Sequence, residues 1–346
     1  MQINNTYTPG IKIATGYRTM NIIPVTPSNI YDLTKLNFLL ESAEKCGFEP
    51  IIIGLNQPFI FISKILWLKD FLQSLPIHIN PIISFTDAYD VFYGDSLEII
   101  QNKFLSYNTD IVWSVEKWYS HQLIRDKDFY DGLQNHTNSS YKYINTGTFM
   151  GYKNSLLQLF NDIIGSLYNP EFMKELAEEG WELHSSAVDQ TIISHHLVKF
   201  WDRYKITLDY ECGIFYLPCG DWDDIEKYIK KDFTVVETGK KPSIVHVPWR
   251  LRYENILIQL FDWKFYNRME EAIKNKTYSW RNCAITFLEN RQMDAFGEGV
   301  YIPKDRNILQ AEFGEKIHTL IFNEDFTEFV SVRQYDQEIV RGRLMV

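Results

Sequence analysis

Between Pro50 and Tyr93 the chain has few ways to fold. PIIIGL (Pro50 to Leu55) is a short, almost wholly apolar run, Ile62 to Leu75 repeats its apolar residues at helical spacing, and NPIISFTDAYDVFY (Asn80 to Tyr93) opens on another apolar run. A run of about 4–8 apolar residues with no helical stripe, bounded by Pro or Gly, reads as a strand buried on both faces. Strand, helix and strand joined this closely form a βαβ unit, and such units build a parallel sheet covered by helices. The fold class is therefore α/β.

The same alternation extends on either side. IKIAT (Ile11 to Thr15) reads as a first strand, and Leu33, Leu36, Leu40 and Ala43 mark a helix capped by Ser28 or Asn29 and ended by Gly47. Asp95 and Glu98 read as a capping pair for a helix over Leu97 to Tyr107, followed by a strand over Asp110 to Glu116. Lys117 to Tyr141 lacks periodicity and is expected to form a lid. Tyr143 to Tyr152 reads as a strand broken by Gly147 and Gly151. Helices follow at 155–168 and 187–200, short strands at 214–217, 233–237 and 243–247, and a helix at 254–268.

Beyond Lys276 the texture changes to short alternating strands, at 284–288, 299–302, 308–313, 316–322, 326–332 and 338–344. The expected organisation is thus an α/β domain over 1–275 and a small β-rich accessory or oligomerisation module over 276–346. A module this short is marginal for a core of its own, and its strand edges are expected to seek the first domain or a second subunit.

Hydrophobic residues make up 45% of the chain, enough for a large core, and the formal net charge is -10 with no Lys/Arg block. That balance argues against a nucleic-acid groove, which must neutralise many phosphates. Cys46, Cys212, Cys219 and Cys283 have no CxxC spacing, so zinc is not signalled and only a Cys212–Cys219 bridge stays open. The N-terminus has no basic region followed by an apolar one, and no run is long enough for a membrane span. As written, the chain is expected to be soluble and cytoplasmic.

The charge that could do chemistry sits at strand exits. Asp87 and Asp90, with Tyr89 between them, follow the apolar run PIISF, and ligands of open α/β sheets collect at the carboxyl ends of strands. Two hard carboxylates with no nearby Cys suit Mg²⁺ or Mn²⁺ and a phosphate-bearing substrate. The alternative is a turn cap and a solvated acid. His246 ends PSIVH, where an imidazole is either a Mn²⁺ ligand or structural. Trp67, with Lys64 one turn earlier, is either a core aromatic or a flat face for a base. Asp189 is either a catalytic acid or a helix-start acid, and Trp118 and Trp249 are sugar platforms or packing. Asn145 and Thr146 offer hydrogen bonds to a polar ligand.

Taken in order, IKIAT, SKILWLKD, SFTDAYDVF, VWSVEKW, YINTGTFMGY, AVDQTI and IVH resemble the glycosyltransferase domain of the multifunctional procollagen lysyl hydroxylases and related collagen glycosyltransferases. The resemblance runs from about Ile11 to Leu260 and omits the β module. It implies a Rossmann-like GT-A domain. The family's metal motif falls on Asp87, Ala88, Tyr89 and Asp90, with His246 completing a Mn²⁺ site, and Thr15, Lys64 and Trp67 fall at the uridine end of a UDP-sugar. Two departures stand out. Only Asp189 remains of a run of acids, after Ser185, Ser186, Ala187 and Val188, and Val247, Pro248, Trp249 and Arg250 replace a Gly-rich segment, so that Arg250 or Arg252 supplies the cation at the pyrophosphate.

The resemblance further implies transfer of hexose from UDP-glucose, or second UDP-galactose, to hydroxylysine or galactosyl-hydroxylysine on collagen-like chains, and so a secretory compartment. The acceptor would enter over Trp118 and Asn145, near Asp189. Glucose transfer in that family retains configuration; an inverting enzyme would need Asp189 or Glu116 as base. Competing readings are a non-catalytic glycan or sugar-nucleotide binder, a transferase acting on another glycan, and a different phosphoryl or nucleotidyl chemistry using the same acids.

Overall fold

The computed structural model describes residues 21–29, 36–133, 138–218, 224–248, 250–281, 283–295, 297–305, 307–313, 315–323 and 325–345. The chain forms two compact units: Met1–Asp224 with Val235–Arg250, and Ile225–Thr234 with Leu251–Val346. The expected first strand at Ile11 to Thr15 lies outside the described residues.

The first unit runs β1 (Ile22–Pro27), α1 (Asn37–Lys45), β2 (Ile51–Ile53), α2 (Ser63–Ser74), β3 (Ile82–Thr86), β4 (Val91–Tyr93), α3 (Leu97–Ser106), β5 (Ile111–Glu116) and α4 (Lys127–Leu133). It continues through β6 (Tyr143–Tyr152), α5 (Lys153–Ser166), α6 (Pro170–Glu178), α7 (Val188–Phe200), β7 (Ile206–Leu208), β8 (Phe215–Tyr216) and β9 (Ile244–His246). Its main sheet has the order β2-β1-β3-β6-β5-β7. All neighbouring strands are parallel except at β6, which is antiparallel to both β3 and β5. Every residue of β3 and β5 is buried, which is why these strands read as continuous apolar runs. A smaller sheet, β4-β9-β8, begins where β3 leaves the first one. The Asp87 to Asp90 turn is the link between the two sheets.

Helix α7 is buried from Val188 through Leu197. Its polar groups must then be satisfied internally. His195 sits between Asp126, at 2.8 Å, and Glu175, at 2.9 Å, and His196 sits between Ser166 and Tyr204, both at 2.8 Å.

Several expectations change. Residues 122–131 are not a lid: they form a 3₁₀ turn at Ile124–Asp126 and helix α4, with Gln122, Leu123, Asp126 and Tyr130 buried. The polarity of this stretch hid its few anchoring apolar residues. Strand β6 is unbroken through Gly147 and Gly151. Residues 233–237 are not a continuous strand: a bend at Phe233 (φ 66°) and an isolated bridge at Val235 lead into a turn. Ser28 follows β1 and bonds the Tyr89 hydroxyl at 3.1 Å, while the residue at the α1 N-cap is Leu36. The residue at the α3 N-cap is Ser96, and the Asp95 carboxylate before it accepts from Ser243 at 2.7 Å and Lys103 at 3.3 Å.

The second unit carries α8 (Arg250–Phe265, its first residue closing the first unit), α9 (Asn267–Ile273) and eight strands: β10 (Thr277–Trp280), β11 (Cys283–Phe287), β12 (Gln292–Asp294), β13 (Glu298–Asp305), β14 (Ile308–Phe313), β15 (Lys316–Phe322), β16 (Glu328–Arg333) and β17 (Ile339–Leu344). These strands form a closed barrel in sequence order, sealed by antiparallel pairing of β10 with β17. Strands β10 and β12 were not legible as runs. The expectation of edge-rich strands seeking a partner is overturned: closure removes the edges by pairing them within the chain. The interior is aromatic, with Tyr278, Phe287, Phe313, Phe322 and Phe329 buried together. Among the described residues, no helix is long and apolar enough to cross a membrane.

Candidate active site

Asp87 and Asp90 leave the end of β3, and the main-chain N–H of Asp87 donates to Gly147 O of β6 at 2.6 Å. The chain then enters β4, whose Val91 pairs with His246 of β9, and Val247 N donates back to Asp90 O at 2.8 Å. Two sheets thus converge on one turn. His246 Nε2 lies 3.5 Å from Asp90 Oδ1 and 4.0 Å from Asp87 Oδ2. One donor atom from each residue falls within 4.8 Å of the others. Donors bound to one ion at about 2.0–2.2 Å must lie roughly 3–4.4 Å apart, so the three side chains fit a hard divalent cation. The identity of that cation is not fixed by this geometry.

The imidazole is held on both sides. A Cβ on Gly147 would lie 2.1 Å from His246 Cε1 and 2.9 Å from Asp87 Oδ2, so only glycine lets β6 pass. Its Nδ1 is buried with no hydrogen bond among the described residues. Burial disfavours the imidazolium, but Asp90 and Asp87 together carry the His246 pKa above its ordinary value. Burial likewise raises Asp87 above the usual carboxylate range, against the pull of Lys64.

Lys64 of α2 reaches into the same cluster, its ammonium 2.9 Å from Asp87 Oδ1 and 3.1 Å from Asp189 Oδ2. Burial works against that charge, but Asp189 and Asp87 outweigh it and hold the pKa well above the lysine norm. Asp189 lies in the first turn of α7, which the left-handed Ala187 (φ 55°) introduces, and Thr146 Oγ1 donates to it at 3.4 Å. Beside it, Glu116 Oε1 accepts from Gln190 Nε2 at 3.0 Å, Asn145 Nδ2 at 3.2 Å and Ser120 Oγ at 3.2 Å. Burial pushes the Glu116 carboxyl up despite these donors.

The structure therefore joins Lys64, Asp87, Asp90, Asp189 and His246 in one cluster. Asn145 is buried and its amide is committed to Glu116 and to the Gly147 N–H, at 2.9 Å. Trp67 is 8% exposed, with a face against Gly54 and Phe59 at 5.9 Å. Tyr89 is half-buried beside Ser28, and Trp118 is 49% exposed. Thr15, Trp249 and the Arg250 and Arg252 side chains lie outside the described residues, as does Cys219 of the bridge considered above. Sequence reasoning overlooked Gln190 as a partner of Glu116 and Gly147 as the clearance for His246. The Asn-Thr-Gly triplet inside a strand was the available signal.

A parallel sheet with one inserted antiparallel strand, its acids at the link to a second small sheet, is a GT-A Rossmann-like arrangement. Residues 37–166 match the family model described as the PLOD GT domain. Residues 37–166 are thus similar to a glycosyltransferase domain of the PLOD type, as the motif order implied, and the chain also carries a closed all-antiparallel barrel. The match spans Lys64, Asp87, Asp90 and Glu116; Asp189 and His246 lie beyond it and join the site through the geometry. No curated protein matches the chain.

Proposed function

We propose that this protein is a Mn²⁺-dependent hexosyltransferase that moves glucose from UDP-glucose, or galactose from UDP-galactose, to hydroxylysine or galactosyl-hydroxylysine of collagen-like chains. The observation that carries the reading is the Asp87, Asp90 and His246 cluster with the Lys64 ammonium 2.9 Å from Asp87. A divalent ion on those three side chains would supply Lewis-acid stabilisation of the charge that builds on the departing diphosphate.

The chain's own groups do the rest. Lys64 brings a fixed positive charge to the phosphate side and ties it to Asp189, which faces the sugar and acceptor. Tyr89, with Thr15 and Trp67, serves the nucleotide end, and Arg250 serves the pyrophosphate. Trp118 is the exposed platform over which an acceptor enters. Asn145 orients Glu116 and β6. A retaining transfer needs no base on the opposite face; an inverting one would use Asp189 or Glu116. The transferase domain is assigned to the first unit, with the barrel unit accessory to it; residues 251–275, expected within the transferase domain, cluster with the barrel instead.

UDP release from each donor, with a hydroxylysine-bearing collagen peptide and Mn²⁺, tests this directly. Turnover should vanish with EDTA and fall at least about 100-fold in Asp87→Ala and Asp90→Ala, a few kcal/mol of barrier. EDTA-insensitive turnover, or full activity in either folded variant, would overturn the metal assignment.

A further inference from the structure

Outside the transferase unit, helices α8 and α9 and the turn before β12 enclose an open cleft of ≈ 350 Å³. That is at the small end of the range for ligand sites, about 300–1,000 Å³. Helix α8 has two faces of different character. Ile256, Leu257, Leu260, Phe261 and Phe265 are buried, whereas Asn255, Gln259, Asp262 and Trp263 recur on the other face at helical spacing and line the cleft. Trp263 is half-buried on that polar stripe, where the core has no use for it. Among the described residues, its indole N–H and the amides of Asn255 and Gln259 take no hydrogen bond.

The opposite wall is built around Arg291. Asn290 and Arg291 both adopt left-handed backbone angles, φ 58° and 61°, an unfavourable conformation for residues with side chains that persists only where the surroundings impose it. The guanidinium donates to Glu270 Oε1 at 2.7 Å and to Asp262 Oδ2 at 2.9 Å. That cation is committed to two carboxylates, so a phosphate or carboxylate ligand would find no uncompensated positive charge. The apolar lining is confined to Trp263 and the exposed Ile258, too little for a hydrophobic ligand. One aromatic face ringed by planar amides and carboxylates remains. A pyranose ring offers the complement: a face of C–H bonds, and a rim of hydroxyls that each donate and accept.

We propose that this cleft is a second carbohydrate site, binding a neutral pyranoside with its C–H face on Trp263 and its hydroxyls on Asn255, Gln259, Asp262 and Glu270. The assignment rests on the barrel unit alone and does not depend on the transferase reading. Saturation-transfer NMR on the full chain, with EDTA and excess UDP present, would test methyl β-galactoside, methyl α-glucoside and methyl α-mannoside in turn. At least one should bind saturably, and Trp263→Ala should weaken it about tenfold, as truncation of an aromatic anchor does. Gln259→Leu should weaken it too, and decides the matter if the Trp263 variant does not fold. In Trp118→Ala, which removes the acceptor platform proposed above, the component of the signal that the α8 variants weaken should persist. No saturable pyranoside, a signal untouched by the α8 variants, loss of that component in Trp118→Ala, or saturation by lysine methyl ester in place of sugars would each overturn the proposal.

Discussion

The transferase unit and the barrel use one backbone device for opposite ends. In the first, Gly147 of β6 gives way to the ring of His246, whose Cε1 would lie 2.1 Å from an added Cβ. In the second, Gly342 of β17 gives way to Phe329 on the neighbouring β16, whose Cζ would lie 2.2 Å from one. Close approach of a ring to a strand requires the missing side chain in both places. The rings differ in what they are kept for. His246 is buried to hold a nitrogen against two carboxylates that can share a cation with it. Phe329 is buried among Tyr278 and Phe322 at ring distances of 5.6 and 5.2 Å, where apolar area is the whole gain. Substitution at the two glycines should therefore fail differently.

Gly147→Ala should have the larger effect. The added methyl must displace His246 or Asp87, and we expect metal affinity and metal-dependent turnover to fall about 100-fold. Isothermal titration with Mn²⁺ on folded protein measures this; wild-type affinity would mean that the three side chains are not a metal site. Gly342→Ala should leave turnover per folded molecule unchanged and lower stability by about 1–3 kcal/mol through overpacking. Denaturant unfolding read alongside UDP release separates the two. Lost activity in the folded Gly342 variant would break the division of labour.

The same division explains what the sequence made legible. Strands β3 and β5 are buried on both faces, so their apolar runs were plain, and Asp87 and Asp90 stood out because charge interrupts such a run only at its end. Barrel strands β14 and β15 matched their expected bounds because one face is wet and alternation survives. Strand β12, with three residues, is too short to show a period. Strand β1, IIPVTP, carries two prolines that argue against a strand until its neighbours are known. Contacts across long separations were out of reach. Nothing in SKILWLKD says that Lys64 meets Asp87 and Asp189, and Gly147 reads as a strand breaker until His246 is seen behind it. Closure of the barrel likewise depends on β10 finding β17, which local pattern does not encode.

Asp189 offers a sharper test, since it is the acid whose neighbours depart from the resembled family. Its Oδ2 is 3.1 Å from Lys64, which keeps Asp87 when Asp189 is neutralised. Asp189→Asn should thus fold, bind UDP and Mn²⁺ as before, and lose about tenfold in kcat, an interaction of about 1.4 kcal/mol made mainly in the transition state. Steady-state kinetics with metal titration checks it. Unchanged kcat would make Asp189 a partner of Lys64 only.

Glu116 should give the smallest effect, and one that the barrel cannot share, because among the described residues the buried carboxylates all lie in the first unit. Burial holds its pKa above the ordinary glutamate value. A carboxyl that is easier to protonate folded than unfolded contributes stability that is complete below the ordinary glutamate range and is lost as pH rises through the raised pKa. Glu116→Gln never ionises, and its Oε1 can still accept from Asn145, Gln190 and Ser120. The variant should therefore gain on the wild type as pH rises above the ordinary glutamate range, the difference flattening once Glu116 is fully ionised in the folded protein. Denaturant midpoints at a series of pH values report it. The reverse slope, with wild type gaining, would mean that the three donors outweigh burial and hold the carboxylate ionised. Turnover completes the argument: activity that survives in Glu116→Gln leaves the residue a strut for Asn145 and Gln190, and activity abolished at every pH makes it the base of an inverting transfer.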